Sequence, residues 1–161
     1  MPVMRTEKES AFTLIEVLLI VSILGTLLAL LVPSYTSIME KARTNQAIAD
    51  VAKISRLLDD FLADNGTLPE TLKELQEKAG PFNPIDPWGN PYEYLVILGK
   101  RKSEIQGKWR KDRFMVPINS DYDLYSIGKD EKTQAPLTAD DSWDDIIRAN
   151  DGNFIGLAHK F

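Results

Sequence analysis

Residues 12–39 read FTLIEVLLIVSILGTLLALLVPSYTSIM, from Phe12 to Met39, and this stretch decides the fold. After Glu16 no charged residue appears until Glu40, and between Val17 and Val32 only Ser22, Gly25 and Thr26 interrupt the aliphatic run. At about 1.5 Å per residue, a helix from Phe12 to Val32 covers roughly the 30 Å hydrocarbon core of a bilayer. A lone segment crosses lipid as a helix because every backbone polar group must then be satisfied within it. The stretch is therefore expected to be a membrane helix at some stage of the protein's life.

Two residues distinguish it from a plain anchor. Glu16 lies inside the apolar run, where an unpaired carboxylate costs on the order of 2–3 kcal/mol or more. Pro33 removes a hydrogen bond near the far end or kinks the helix there. A carboxylate reaching for the interface is the simplest reading of Glu16. A sharper one follows if the chain is cut after Ala11. Phe12 then carries a free ammonium group about one turn from Glu16, and in a bundle of identical helices the two charges of neighbouring copies neutralise each other. Such pairing sets the axial register between copies. No small-x-small site follows the apolar run, so it is not a cleavable secretory signal of the common type, and a signal-anchor is the bland alternative.

Beyond Met39 the apolar residues Ile48, Val51, Ile54, Leu58 and Phe61 recur at spacings of three and four, which makes one buried stripe on a helix. Lys41, Arg43, Asp50, Lys53, Arg56, Asp59 and Asp60 supply its solvated remainder, and Asn65-Gly66 is a stop signal. One helix of some fifty residues is expected, half in the membrane and half on a folded domain. The 161 residues leave room behind it for one domain of about 100 residues, and the absence of cysteine rules out disulfide staples. A net charge of −5 argues against nucleic acid as a partner.

Thr67-Leu68-Pro69-Glu70 has the form of a capping box, and a short helix carrying Leu72, Leu75 and Ala79 should follow, ended by Gly80-Pro81. Asp86-Pro87-Trp88-Gly89-Asn90-Pro91 reads as consecutive turns, with Gly89 or Asn90 at positive φ and Trp88 packed beneath. Strands are expected over 92–98, 114–116 and 122–127. The segment from Gly99 to Arg113 holds seven basic residues around Trp109 and reads as a solvated hairpin tip. Its charge would suit a contact with the acidic face of another copy.

That acidic face runs from Asn119 to Gly152. Asp130, Asp140, Asp141, Asp144 and Asp145 cluster in a long segment without an obvious core, and their spacing is not that of an EF-hand. Calcium takes six to eight hard oxygen ligands and can order such a loop; a solvated acidic loop is the plainer reading. Catalysis finds no support: His159 is the single histidine, and no nucleophile–base pair, phosphate loop or zinc spacing is visible. The chain is not expected to be an enzyme.

A short polar leader, FTLIEV, a long apolar helix and Pro33 together resemble the class III signal of type IV pilins and type II secretion pseudopilins. Ala11 stands where that family usually has glycine, and the leader balances Arg5 and Lys8 against Glu7 and Glu9 instead of being basic. Met4 is an alternative start. DPWGNPYEYL and the later YDLYSIGKD further resemble the major, G-type pseudopilins. The resemblance implies an α+β pilin-like fold: a long amino-terminal helix packed on a small antiparallel sheet, with a carboxy-terminal loop. Residues 1–11 would be a leader, 12–39 the transmembrane and assembly part, and 40–161 a periplasmic globular domain. It also implies cleavage by prepilin peptidase between Ala11 and Phe12, methylation of Phe12, and assembly roles for Glu16 and Pro33. One calcium ion is implied in the acidic loop, with Asp130 aligned to a ligand and Asp140, Asp141, Asp144 and Asp145 ambiguous. The implied partners are further copies in a helical filament, other pseudopilins and inner-membrane secretion components, and the implied location is the bacterial inner membrane as a single-pass protein. A type IV pilin of a surface fibre and a membrane-anchored periplasmic binding module that never polymerises are the alternatives.

Overall fold

The structure, a computed structural model, describes residues 12–161. Helix α1 runs from Leu14 to Asn65 and includes Pro33. The chain divides into two units within it, one up to Glu40 and one from Lys41 onward. In the first unit the aliphatic side chains are uncovered: Leu24 and Leu28 are 53% and 58% exposed. By length and composition this helix could cross a membrane, and none of its most apolar stretch is buried.

In the second unit the same helix behaves as a core element. Ala47, Val51, Ile54 and Leu58 have no exposed surface, and Phe61 is nearly as deep. This is the expected stripe. Its edges are polar and occupied: Asp50 accepts from the Tyr92 hydroxyl (3.2 Å) and Asp59 from that of Tyr122 (2.9 Å).

Among the described residues the stripe faces a four-stranded antiparallel sheet of order β1-β2-β3-β4. The strands are β1 (Glu93–Val96), β2 (Tyr122–Ser126), β3 (Ile146–Ala149) and β4 (Phe154–Leu157). Tyr94 pairs with Leu124, Tyr125 with Ile147, and Ile147 with Gly156, which fixes the register across the sheet. Tyr122, Leu124 and Ile146 meet the helix stripe in one cluster, while Ile147 and Ala149 join Ile118, Leu137 and Ala158 in a second cluster. Alternation along β3 thus feeds two cores.

A buried polar group sits between helix and sheet. Arg148, 2% exposed, donates from Nε to Ser55 Oγ (3.1 Å) and forks onto Asp121 (2.8 and 2.7 Å). Its guanidinium lies 4.0 Å over the Tyr122 ring, whose hydroxyl meets Ser55 Oγ at 2.9 Å.

Several expectations need correction. The capping box lies one turn later than Thr67–Glu70. Thr71 Oγ1 accepts from the Glu74 N–H (3.2 Å), Glu74 Oε2 accepts from the Glu70 N–H (2.9 Å), and helix α2 spans Leu72–Ala79. Both Thr67 and Thr71 head an S/T-x-x-E pattern, but the Pro69 carbonyl is taken by the Tyr94 hydroxyl (2.9 Å) outside any helix. Leu75 is fully buried and Gly80 ends the helix at φ 113°, as anticipated.

Phe114-Met115-Val116 is not a strand. The Met115 carbonyl accepts from the Asp112 N–H in a tight turn (2.9 Å), and Phe114 is 93% exposed. Nor is the basic segment from Gly99 to Arg113 a solvated tip throughout. A one-turn helix α3 (Lys102–Ile105) forms within it, and Ile105 and Trp109 pack against Ile97. Trp109 and Arg110 are therefore buried and present no surface to another copy. The acidic carboxy-terminal stretch contains β3 and leads into β4; Asn150, Asp151 and Gly152, all at positive φ, make the turn between them.

The DPWGNP turn anchors the sheet as well as reversing the chain. Asp86, almost fully buried, gathers the N–H groups of Trp88, Gly89 and Asn90 on Oδ1 and the Ser126 hydroxyl on Oδ2. Gly89 takes φ 106°. Since Leu58 fills the centre of the helix stripe, Leu58→Ala should cost about 2–5 kcal/mol of unfolding free energy, read as a lowered urea midpoint.

Candidate functional site

Two regions hold the residues singled out above. At the amino-terminal end Ala11 lies outside the described residues, and Phe12 is 75% exposed. Thr13 caps α1. Its Oγ1 accepts from the Glu16 N–H (3.3 Å), while Glu16 Oε2 accepts from both the Thr13 N–H and the Thr13 hydroxyl (2.8 Å each). Thr13-Leu14-Ile15-Glu16 is itself a capping box, a use of Glu16 that reading it as an intramembrane charge overlooked. Both side-chain bonds fall on Oε2, leaving Oε1 outside the box. The side chain of Pro33 lies outside the described residues.

The second region is the loop from Gly128 to Ile146. Gly128 has φ 70°, and a Cβ there would lie 2.6 Å from both the Asp144 carbonyl oxygen and its Oδ2. Only glycine lets the chain pass. Asp144 Oδ2 accepts from the N–H groups of Lys129 (2.7 Å) and Asp130 (3.0 Å). Asp130 Oδ1 turns to the Lys132 N–H (2.9 Å), Asp141 Oδ2 accepts from Gln134 Nε2 (2.8 Å), and Asp140 opens a single 3-10 turn. Asp145 points inward, fully buried.

The structure thus spreads the five aspartates over separate tasks. Among the described residues no group of three or more histidine, cysteine or acidic side chains is placed to hold a metal ion. A calcium ion needs six to eight converging oxygens. Here Asp144 Oδ2 faces amide hydrogens and Asp145 Oδ2 faces a guanidinium, so the donor set as arranged does not fit that ion.

What the loop closes upon is Arg110. Its backbone N–H donates to Asp123 Oδ2 (2.6 Å), and Asp123 Oδ1 accepts from Asn119 Nδ2 (2.9 Å). Its guanidinium reaches Thr133, Gln134 and Asp145 and covers the Tyr125 ring at 4.5 Å. Arg110 and Asp123 lie in segments that the sequence presents as a solvated basic tip and an acidic face. The flanking Trp109 was the one hint that this part of the basic run turns inward. Burial pushes the Asp123 carboxyl up to about 6, against the pull of the Arg110 amide and of Asn119. Burial likewise pushes Asp145 up to about 6, opposed by the Arg110 guanidinium. His159 is exposed, with Nδ1 2.9 Å from the Trp143 carbonyl oxygen.

A long apolar-then-amphipathic helix on a small antiparallel sheet, with a loop-rich carboxy-terminal part, defines an α+β protein of the pilin-like class. The family model described as type II secretion system (T2SS), protein G, matches residues 34–108. The type II secretion system core protein G of Pseudomonas aeruginosa is 33% identical over 146 residues, spanning 80% of this chain and 89% of that protein. The proteins of the same name from Vibrio cholerae and Escherichia coli are each 34% identical, over 56% and 54% of this chain and 73% and 72% of theirs. No solved structure gives a significant match. The chain belongs to the type II secretion system protein G family, the G-type pseudopilins. That family is structural and not a family of enzymes.

The Asp123 carboxyl has its folded value raised above the ordinary 3.8, so its contribution to stability is complete below about pH 4 and is lost as pH rises through about 6. Between pH 7 and pH 5 this group should therefore favour the folded state increasingly. Asp123→Asn should flatten that part of the pH dependence, measured as urea midpoints at the two pH values.

Proposed function

We propose that this chain is a subunit of a periplasmic pseudopilus, processed between Ala11 and Phe12 by a prepilin peptidase and polymerised through α1. The observation that carries the reading is the division of α1 by environment. Its second half is covered by the chain's own sheet, whereas its first half exposes one leucine or isoleucine after another. Such a surface needs lipid before assembly and other copies of the helix afterwards. Before assembly the protein sits in the inner membrane as a single-pass protein with its folded unit in the periplasm. Other pseudopilins and inner-membrane secretion components are its partners.

Within such a filament Glu16 meets the Phe12 ammonium of a neighbouring copy. That Oε1 lies outside the capping box supports this reading, since Oε2 can keep Thr13 while Oε1 accepts the charge. Mass spectrometry of native filaments should find an N-methylated Phe12 terminus. An intact Met1 or Met4 terminus on assembled filaments would refute the processing step.

Two substitutions separate capping from charge. Glutamine also serves in a capping box, so Glu16→Gln keeps the cap and loses the ion pair, while Glu16→Ala loses both. Membrane levels of each should equal or exceed wild type, because removing an intramembrane carboxylate eases insertion by about 2–3 kcal/mol. Filament yield should fall in both. Wild-type yield from Glu16→Gln at equal expression would leave only the cap.

A further inference from the structure

The loop from Gly128 to Ile146 carries five of the chain's aspartates, yet its inward contacts converge on a cation that the chain itself supplies. Arg110 is 2% exposed and Asp145 fully buried. The guanidinium NH2 group donates to Asp145 Oδ2, which also accepts from the Thr133 hydroxyl (2.7 Å). NH1 donates to Thr133 Oγ1 and to the Gln134 carbonyl oxygen, both at 2.5 Å. One side chain thereby ties Thr133-Gln134 to Asp145 across the loop.

The backbone repeats the closure. The Lys111 N–H donates to the Ala135 carbonyl (3.0 Å), and the Leu137 N–H returns to the Lys111 carbonyl (2.9 Å). Inside the loop, Ser142 Oγ accepts from the Gln134 N–H and donates to the Gln134 carbonyl oxygen, both at 2.9 Å. Arg110 Nε and Asp145 Oδ1 are left without hydrogen-bond partners, a donor and an acceptor belonging to the same ion pair.

We infer that Arg110 is the cation that orders the carboxy-terminal loop of this chain, and that the loop folds without calcium. Arginine suits the place because its planar fork can serve a carboxylate, a hydroxyl and a carbonyl at once and does not lose its charge. Asp130, Asp140, Asp141 and Asp144 then remain on the outer side of the loop, where Asp130, Asp141 and Asp144 accept from local donors. The inference is independent of the filament reading: a calcium-bound loop would be equally compatible with a pseudopilus.

The test uses the full-length protein in detergent. Melting should be the same in calcium and in chelator, where a calcium ion at about a hundred times its Kd would raise Tm by roughly 10 °C. Terbium provides a second probe, because Trp143 is half exposed beside Asp144 and would sensitise a lanthanide bound there. No saturable terbium emission is expected. A calcium-dependent rise in Tm, or saturable terbium emission that calcium displaces, overturns the inference.

Arg110→Met should lower Tm by about 10 °C or more, because Asp145 is left buried without its partner. Arg110→Met combined with Asp145→Leu should recover a large part of that loss. A double variant no more stable than Arg110→Met would show that this pair does not close the loop. If Arg110→Met fails to fold, the calcium and terbium measurements on the wild-type protein still decide.

Discussion

Four short strands cannot bury both faces of their own sheet, and everything in the folded unit depends on how α1 covers one of them. Residues Ala47 to Phe61 supply an unbroken apolar stripe, and the sheet answers with Tyr122, Leu124 and Ile146. At about 25 cal/mol per Å² of apolar surface, such a contact is the main favourable contribution available to a domain this small.

Hydrophobic burial does not by itself specify the axial position of a helix on a sheet. Polar contacts can, and here they lie both at the edges of the stripe and beneath it. Ser55 meets both Tyr122 and Arg148, and Arg148 in turn holds Asp121. Shifting α1 by one turn would take Ser55 away from the buried Arg148 Nε, an unsatisfied donor that costs about 1–3 kcal/mol. The second buried arginine, Arg110, performs an analogous task for the carboxy-terminal loop. Among the described residues of this cysteine-free chain, two buried cations lie where long-range segments meet.

The architecture was legible in the sequence wherever a periodic pattern or a turn motif carried it. The helix from Leu14 to Asn65 followed from an apolar run joined to a three-and-four stripe, and the Asp86–Asn90 turn followed from its prolines and glycine. The rest resisted for identifiable reasons. Thr67 and Thr71 offered two equivalent capping patterns, and the choice fell to Tyr94, a residue distant in sequence. Strands β3 and β4 are four residues each and lie beside acidic residues that read as solvated. The burial of Arg110, Asp123, Asp145 and Arg148 was not legible, because burial of a charge depends on a partner elsewhere in the chain. No local periodicity announces such a pairing. The amino-terminal candidates Ala11, Phe12 and Glu16 were read from a motif, while the capping use of Glu16 depended on seeing where the helix begins.

The bonds from Ser55, Asp59 and Asp50 to Tyr122, Arg148 and Tyr92 have a mechanical meaning as well. They run from the side of the helix to the sheet, across the helix axis. A tensile force along α1 therefore loads them in shear, together, and not one after another as in unzipping. Parallel loading of several bonds resists rupture far better than sequential loading of the same bonds. The folded unit is held to its own helix in a geometry that would load these bonds together.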